Sequence, residues 1–181
     1  MKFSRTEMPD VVIIDPDVHL DERGYFFESF KEKELNDYLG YKVEFCQENE
    51  SKSSYGVLRG LHYQEPPFAQ AKLVRVIQGS VLDVAVDIRK DSLTFGNHIA
   101  VELNQENKKQ LFIPRGFAHG FVVLSETAIF SYKVDNYYNK ISERGIAYND
   151  YELGIDWKIQ NAENIISERD MNNLPFRKSG I

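Results

Sequence analysis

The chain reads as an all-β protein, a sandwich or barrel with a few short helices. From Val11 onward its apolar residues come in short runs with period two, and these runs are bounded by Gly, Pro, Asn or Asp. That is the pattern of half-buried strands separated by turns. Helical periodicity is scarce by contrast: Lys31 to Leu39 is the only convincing helical stretch before the C-terminal region. About ten strands suggest a sandwich or barrel.

Val11, Val12, Ile13 and Ile14 open the series as a strand over residues 11–15, and Tyr25, Phe26 and Phe27 begin the next over 25–30. After the helix, strands are expected over 43–51 and 56–64. The clearest stretch is Lys72 to Arg89, where Val74 and Val76, then Leu82, Val84, Val86 and Ile88, alternate with other residues around Gln78-Gly79-Ser80. It reads as a β-hairpin. Strands follow over 98–104, 109–114, 119–125 and 127–135. From Asn136 to Ile181 the pattern is irregular without being disordered, and Leu153, Ile155 and Trp157 are expected to anchor this segment on the barrel.

No internal repeat, low-complexity tract or Ser/Gly linker divides the sequence. Its 181 residues, 42% of them hydrophobic, suffice for one sizeable core, so residues 1–181 are read as a single domain. The net charge of -6 argues against general nucleic-acid binding, which needs a basic face. The one cysteine, Cys46, can form neither an internal disulfide nor a thiolate cluster, which fits a reducing cytosol. Met1 to Asp10 lacks the apolar core of a signal peptide, and no apolar run approaches the ~18 residues that span a bilayer. The expectation is a soluble cytoplasmic protein with no membrane partner.

Four histidines are candidates for proton transfer, because imidazole titrates near neutral pH: His19, His62, His98 and His119. His19 lies in a polar stretch at a strand end and His98 at a strand entry, so both are expected at the surface. His62 sits in Gly56-Val57-Leu58-Arg59-Gly60-Leu61-His62-Tyr63-Gln64, which sets Arg, His and Gln among apolar residues. A polar cavity inside a barrel explains that; taken alone, so does an edge strand with a solvated arginine. Arg59 and His62 are three apart and would face opposite sides of an ideal strand, a difficulty that a bulge at Gly60 removes.

His119 closes Phe112-Ile113-Pro114-Arg115-Gly116-Phe117-Ala118-His119-Gly120-Phe121, and its P-x-G-x-x-H spacing is that of the second cupin motif. Many cupins bind a metal through an H-x-H pair, a Glu and this second histidine. Here the position two after His62 is Gln64, which leaves too few ligands for that site. Lys72 and Tyr132 are ordinary on local grounds, as a solvated strand-end lysine and a core tyrosine. No G-x-G-x-x-G, Walker A, H-E-x-x-H or G-x-S-x-G signature occurs.

Asp21-Glu22-Arg23-Gly24-Tyr25-Phe26, Gln47-Glu48-Asn49, Val57-Leu58-Arg59-Gly60-Leu61-His62, Lys72-Leu73-Val74-Arg75, the run from Ile113 to Phe121, and Ser167-Glu168-Arg169-Asp170 stand in the order of one family. Together they resemble the dTDP-4-dehydrorhamnose 3,5-epimerase family over nearly the whole chain. The resemblance implies a cupin-type jelly roll, a homodimer with exchanged N-terminal strands, and catalysis without metal or organic cofactor.

For the site, the resemblance implies that His62 is the base next to the C4 ketone, Asp170 its dyad partner and Tyr132 the acid on the opposite face. Lys72 stands by the enolate oxygen with His119 nearby. Arg23 and Arg59 hold the diphosphate, and Phe26 and Tyr138 stack on the nucleobase. Glu28, Gln47, Asn49 and Glu143 contact nucleotide or sugar, as does Arg169, which occupies a position where lysine is usual. The implied reaction converts dTDP-4-dehydro-6-deoxy-D-glucose to dTDP-4-dehydro-L-rhamnose, the step before reduction to the activated rhamnose of surface polysaccharides. A mono-epimerase, a ketoisomerase and a non-catalytic sugar-nucleotide-binding cupin remain as alternatives.

Overall fold

The computed structural model of the protein describes residues 1–159 and 165–181. One sheet takes, in spatial order, β1 (Lys2–Arg5), β2 (Val12–Asp15), β10 (Gln110–Ile113), β7 (Lys72–Gln78), β12 (Thr127–Val134) and β5 (Gln47–Ser54). The second takes β13 (Glu143–Gly145), β6 (Val57–Gln64), β11 (Phe117–Val123), β8 (Ser80–Asp87) and β9 (His98–Asn104), with β14 (Ile165–Ile166) parallel on β6. A separate two-stranded ribbon pairs β3 (His19–Asp21) with β4 (Gly24–Phe26). Among the described residues the α-helices are α1 (Glu32–Leu39) and the single turn α2 (Glu168–Met171), with a 3-10 turn at Phe176–Lys178. Among the described residues no helix is long and apolar enough to cross a membrane.

Three apolar layers hold the sheets. Between them pack Val74, Val76, Leu111 and Phe130 of the first against Val81, Ala85, Phe117 and Phe121 of the second. Outside the first sheet, Val12, Ile14, Leu73 and Phe112 pack under Leu35 of α1. Outside the second, Leu58, Leu82, Val84, Val86 and Ala118 pack under Leu153, Trp157 and Phe176 of the C-terminal segment. Ile155 joins this last layer from its edge, so the expected anchors hold.

Covering both faces of a sheet changes how alternation reads. Every residue of β8 after Ser80 is buried, because Leu82, Val84 and Val86 meet the C-terminal segment while Val81 and Ala85 meet the interior. The expected hairpin over Lys72 to Arg89 is corrected: β7 and β8 lie in different sheets, and Gly79 turns a corner between them. Gly79 has φ +77°, and a Cβ there would stand 2.0 Å from the Thr127 carbonyl oxygen, so only glycine fits this corner.

Other boundaries moved for local reasons. The strand expected over 25–30 stops at Phe26; Phe30 instead meets Phe45 edge-on at 5.4 Å as a loop anchor. The strand expected over 43–51 starts at Gln47, since the Val43 amide donates to the Asn36 side chain at 2.9 Å. β1 was not expected from Lys2-Phe3-Ser4-Arg5, whose one apolar residue, Phe3, stacks on Tyr38 at 4.9 Å. The C-terminal segment is less irregular than its sequence: it contributes β13, β14 and α2, while its residues 160–164 lie outside the described residues.

Candidate active site

A cleft of about 570 Å³ is lined by His62 and His119 from the second sheet and by Lys72 and Tyr132 from the first. β5 adds Asn49 and α2 adds Arg169 and Asp170. The cleft thus draws on strands that are distant in sequence.

The bulge expected at Gly60 is present. His62 pairs with His119 and Arg59 with Phe121, so β6 carries one more residue than β11 in that interval. Gly60 has φ +131°, and a Cβ on it would lie 2.5 Å from the Gly120 Cα. The two glycines let the backbones close up, and the extra residue turns Arg59 and His62 into one cleft.

His62 Nε2 lies 2.6 Å from Asp170 Oδ1. Pairing of β14 with Val57 and Leu58 carries the C-terminal chain alongside β6 and delivers α2 to the bulge. Ser167 caps α2, its hydroxyl accepting from the Asp170 amide at 3.1 Å. Burial alone would raise the Asp170 carboxyl. The hydrogen bond and charge of His62, with donors from Gly60 and Ser167, hold it below the usual carboxylate range.

Lys72 is not the solvated strand-end residue that local reading expects. It is buried, with Nζ 3.4 Å from His119 Nδ1, and His119 Nε2 lies 2.9 Å from Asp83 Oδ2. Burial brings the Lys72 ammonium down to about 8 against the opposing charges of Asp83 and Glu143. Burial likewise pushes the His119 imidazolium down, with Asp83 opposing. Tyr132 shares a hydrogen bond with the Asn49 side chain, but burial outweighs it and raises the phenol, so a proton stays on the phenolic oxygen at neutral pH.

Gln64 has its own work. Its Nε2 donates to the Phe68 carbonyl at 2.7 Å and its Oε1 accepts from the Asn139 amide at 2.6 Å, pinning two loops. Among the described residues no group of three or more His, Cys, Asp or Glu side chains is placed to hold a metal ion.

The family model for dTDP-4-dehydrorhamnose 3,5-epimerase matches residues 5–178. The chain belongs to this family. A dTDP-4-dehydrorhamnose 3,5-epimerase from Shigella flexneri is 54% identical over 176 residues, covering 97% of this chain and 96% of the relative. The crystal structure of the dTDP-4-dehydrorhamnose 3,5-epimerase from Elizabethkingia anophelis NUHP1 is similar with TM-score 0.96 at 55% identity, covering 100% of this chain and 99% of that one. That of a dTDP-6-deoxy-D-glucose-3,5-epimerase from Legionella pneumophila Philadelphia 1, in complex with dTDP-4-keto-L-rhamnose, has TM-score 0.94 at 46% identity and covers 97% of this chain and 93% of that one. The fold is accordingly the cupin-type jelly roll that the motifs implied.

In this member of the epimerase family the remaining site candidates lie in the cleft, beside its lining residues, or away from it. Arg59 points into the cleft and donates to the Ser53 hydroxyl through Nε and Nη2. At the margin, Glu143 accepts from Arg169 at 2.7 Å and from the Tyr138 hydroxyl at 2.6 Å. Burial opposes ionisation of Glu143, but these two donors hold its carboxyl low. Gln47 donates to Asn49 at 2.8 Å. Arg23, Phe26 and Glu28 do not line this cleft: Arg23 pairs with Asp21 in the exposed ribbon, Phe26 is 67% exposed, and Glu28 pairs with Lys31.

His19 is exposed, as expected, whereas His98 is half-buried and hydrogen-bonded to the Leu153 backbone. Sequence reasoning missed Asp83 and Ser53, and did not read Ser167 as the cap of α2. A signal for Asp83 existed, since it is a lone carboxylate inside the apolar run Val81-Leu82-Asp83-Val84-Ala85-Val86; such a residue, when buried, needs a partner.

Proposed function

We propose that the chain converts dTDP-4-dehydro-6-deoxy-D-glucose to dTDP-4-dehydro-L-rhamnose by inverting C3 and C5. One observation carries this reading: His62 and Tyr132 stand on strands of opposite sheets and line the same cleft, with the buried Lys72 between the sheets. Inversion beside a ketone needs a base on one face, an acid on the other and a cation for the oxygen.

With Nε2–H donated to Asp170, the lone pair of His62 Nδ1 is the one left for substrate. It takes the proton from the carbon next to the C4 ketone, and the electrons of the broken C–H bond pass into an enolate. The enolate oxygen gains its charge beside the Lys72 ammonium, an interaction worth about 10²–10³ in rate for one preorganised donor. Tyr132 then gives its phenolic proton to the opposite face of the carbon, which inverts it. Water restores the phenol and takes the proton from His62, and the cycle repeats at the second carbon.

In the same reading Arg23 and Arg59 hold the diphosphate, because a guanidinium meets phosphate oxygens bidentately and keeps its charge. Phe26 and Tyr138 stack on the base, and Glu28, Gln47, Asn49, Glu143 and Arg169 complete polar contacts to nucleotide and sugar. His119 stands by Lys72 near the sugar. Arg23, Phe26 and Glu28 act in a partner's cleft, within a homodimer that exchanges N-terminal strands. Support comes from the ribbon of β3 and β4, which joins neither large sheet and exposes Leu20, Tyr25 and Phe26, an apolar patch suited to an interface. The proposed enzyme is cytoplasmic, forms one domain and uses no cofactor.

The test is proton NMR of the 4-keto sugar nucleotide incubated with the protein. The ring couplings should change to those of the sugar inverted at C3 and C5. An unchanged spectrum under conditions where the ligand binds would identify a binding protein instead.

A further inference from the structure

We propose that Asp83 is a positioning residue for this reaction: acting through His119, it keeps Lys72 an ammonium ion directed at the ketone oxygen. The proposal rests on the epimerase reading above.

Asp83 lies on β8, fully buried in an otherwise apolar run, and reaches His119 Nε2 at 2.9 Å. On the other side of the ring, Lys72 Nζ stands 3.4 Å from His119 Nδ1. An ammonium can only donate and a carboxylate can only accept. The imidazole between them therefore accepts at Nδ1 and donates from Nε2, so Asp83 fixes both the tautomer and the ring orientation of His119. One ammonium hydrogen goes to His119, which leaves two for the cleft. The second oxygen of Asp83, Oδ1, is buried without a hydrogen-bond partner among the described residues, so its negative charge is not spent on these neighbours.

The charges around Lys72 come from several strands. Asp83 on β8 and Glu143 on β13 favour the ammonium. His119 on β11 is neutral in this arrangement, while His62 and Arg59 on β6, Tyr132 on β12, and Arg169 and Asp170 on α2 line the same cleft. Burial is the largest influence and lowers the ammonium to about 8, with Asp83 the larger of the two opposing charges. Removing that charge lowers it further. Lys72 then loses its proton at a lower pH, and the alkaline fall of activity moves toward neutrality.

The experiment is the pH profile of kcat/KM for the wild-type protein and Asp83→Asn, with circular dichroism and thermal melting on both. The alkaline limb of the variant should shift to lower pH by about one unit or more, so that activity lost at alkaline pH is partly recovered on acidification. A folded variant with an unmoved limb, or with equal loss at every pH, overturns the proposal. A second measurement needs no variant: ¹⁵N NMR of His119 in the wild-type protein should show a neutral ring protonated at Nε2. An imidazolium, or a proton on Nδ1, overturns it too. A wild-type protein that leaves the sugar unchanged rejects the epimerase reading itself, and the tautomer still reports separately on Asp83.

Discussion

His62 Nε2 and Asp170 Oδ1 meet at 2.6 Å across a sequence separation of 108 residues. The dyad depends on two backbone features that bring these distant segments together: the bulge at Gly60 and the pairing of β14 with β6. Each can be tested apart from the chemistry it supports.

Replacing the carboxylate tests the dyad first. Asp170→Asn keeps the shape but removes the charge that stabilises the imidazolium formed when His62 takes a proton. Steady-state kinetics should show kcat lower by about 10²–10⁴ with KM little changed. A loss below tenfold would assign Asp170 a purely architectural part.

Tyr132 and His62 should fail differently. His62→Ala should abolish exchange of substrate protons with solvent at both carbons. Tyr132→Phe should impair inversion more than exchange, because the base on the first face survives. NMR in D₂O separates the two effects, and equal loss of both in Tyr132→Phe contradicts the division of roles.

Gly60→Ala tests the bulge. The added Cβ would stand 2.5 Å from the Gly120 Cα and 2.9 Å from the His119 carbonyl oxygen, at φ +131°. Backbone cannot yield as a side-chain tip can, so the cost should exceed about 2 kcal/mol, a drop in Tm on the order of 5 °C or more. Differential scanning calorimetry reads this directly.

Asp87 carries a pH-dependent share of stability. Its buried carboxyl accepts from Arg89, Ser92 and Thr94. Burial works against ionisation, but these donors bring it to about 2 from an ordinary 3.8. A depressed carboxyl stabilises the fold above its unfolded value and loses that contribution as pH falls through its folded value. Asp87→Asn should therefore be less stable than wild type at neutral pH by on the order of 2 kcal/mol. In urea titrations the gap should close as pH falls from 3.8 to about 2.

Much of the candidate site was legible because its residues belong to motifs that keep their order: His62 beside Arg59, Lys72 at a strand start, and His119 after its Pro-x-Gly turn. The strand partners were less legible. Alternation reports that a face is buried, not which neighbour covers it, so β7 and β8 looked like a hairpin although they belong to opposite sheets. Leu82, Val84 and Val86 alternate because the C-terminal segment covers them, and the opposite face carries Asp83, which meets His119. Arg23 and Phe26 keep their motif but lie on an exposed ribbon, away from the cleft that His62 lines.

The central claim is two-faced proton transfer at both carbons beside the ketone. Its most direct test is to incubate the wild-type protein with the 4-keto sugar nucleotide in D₂O and read deuterium at C3 and C5 of the inverted product. Label at both positions is the predicted result. Inverted product that retains its original hydrogen at either carbon would contradict it.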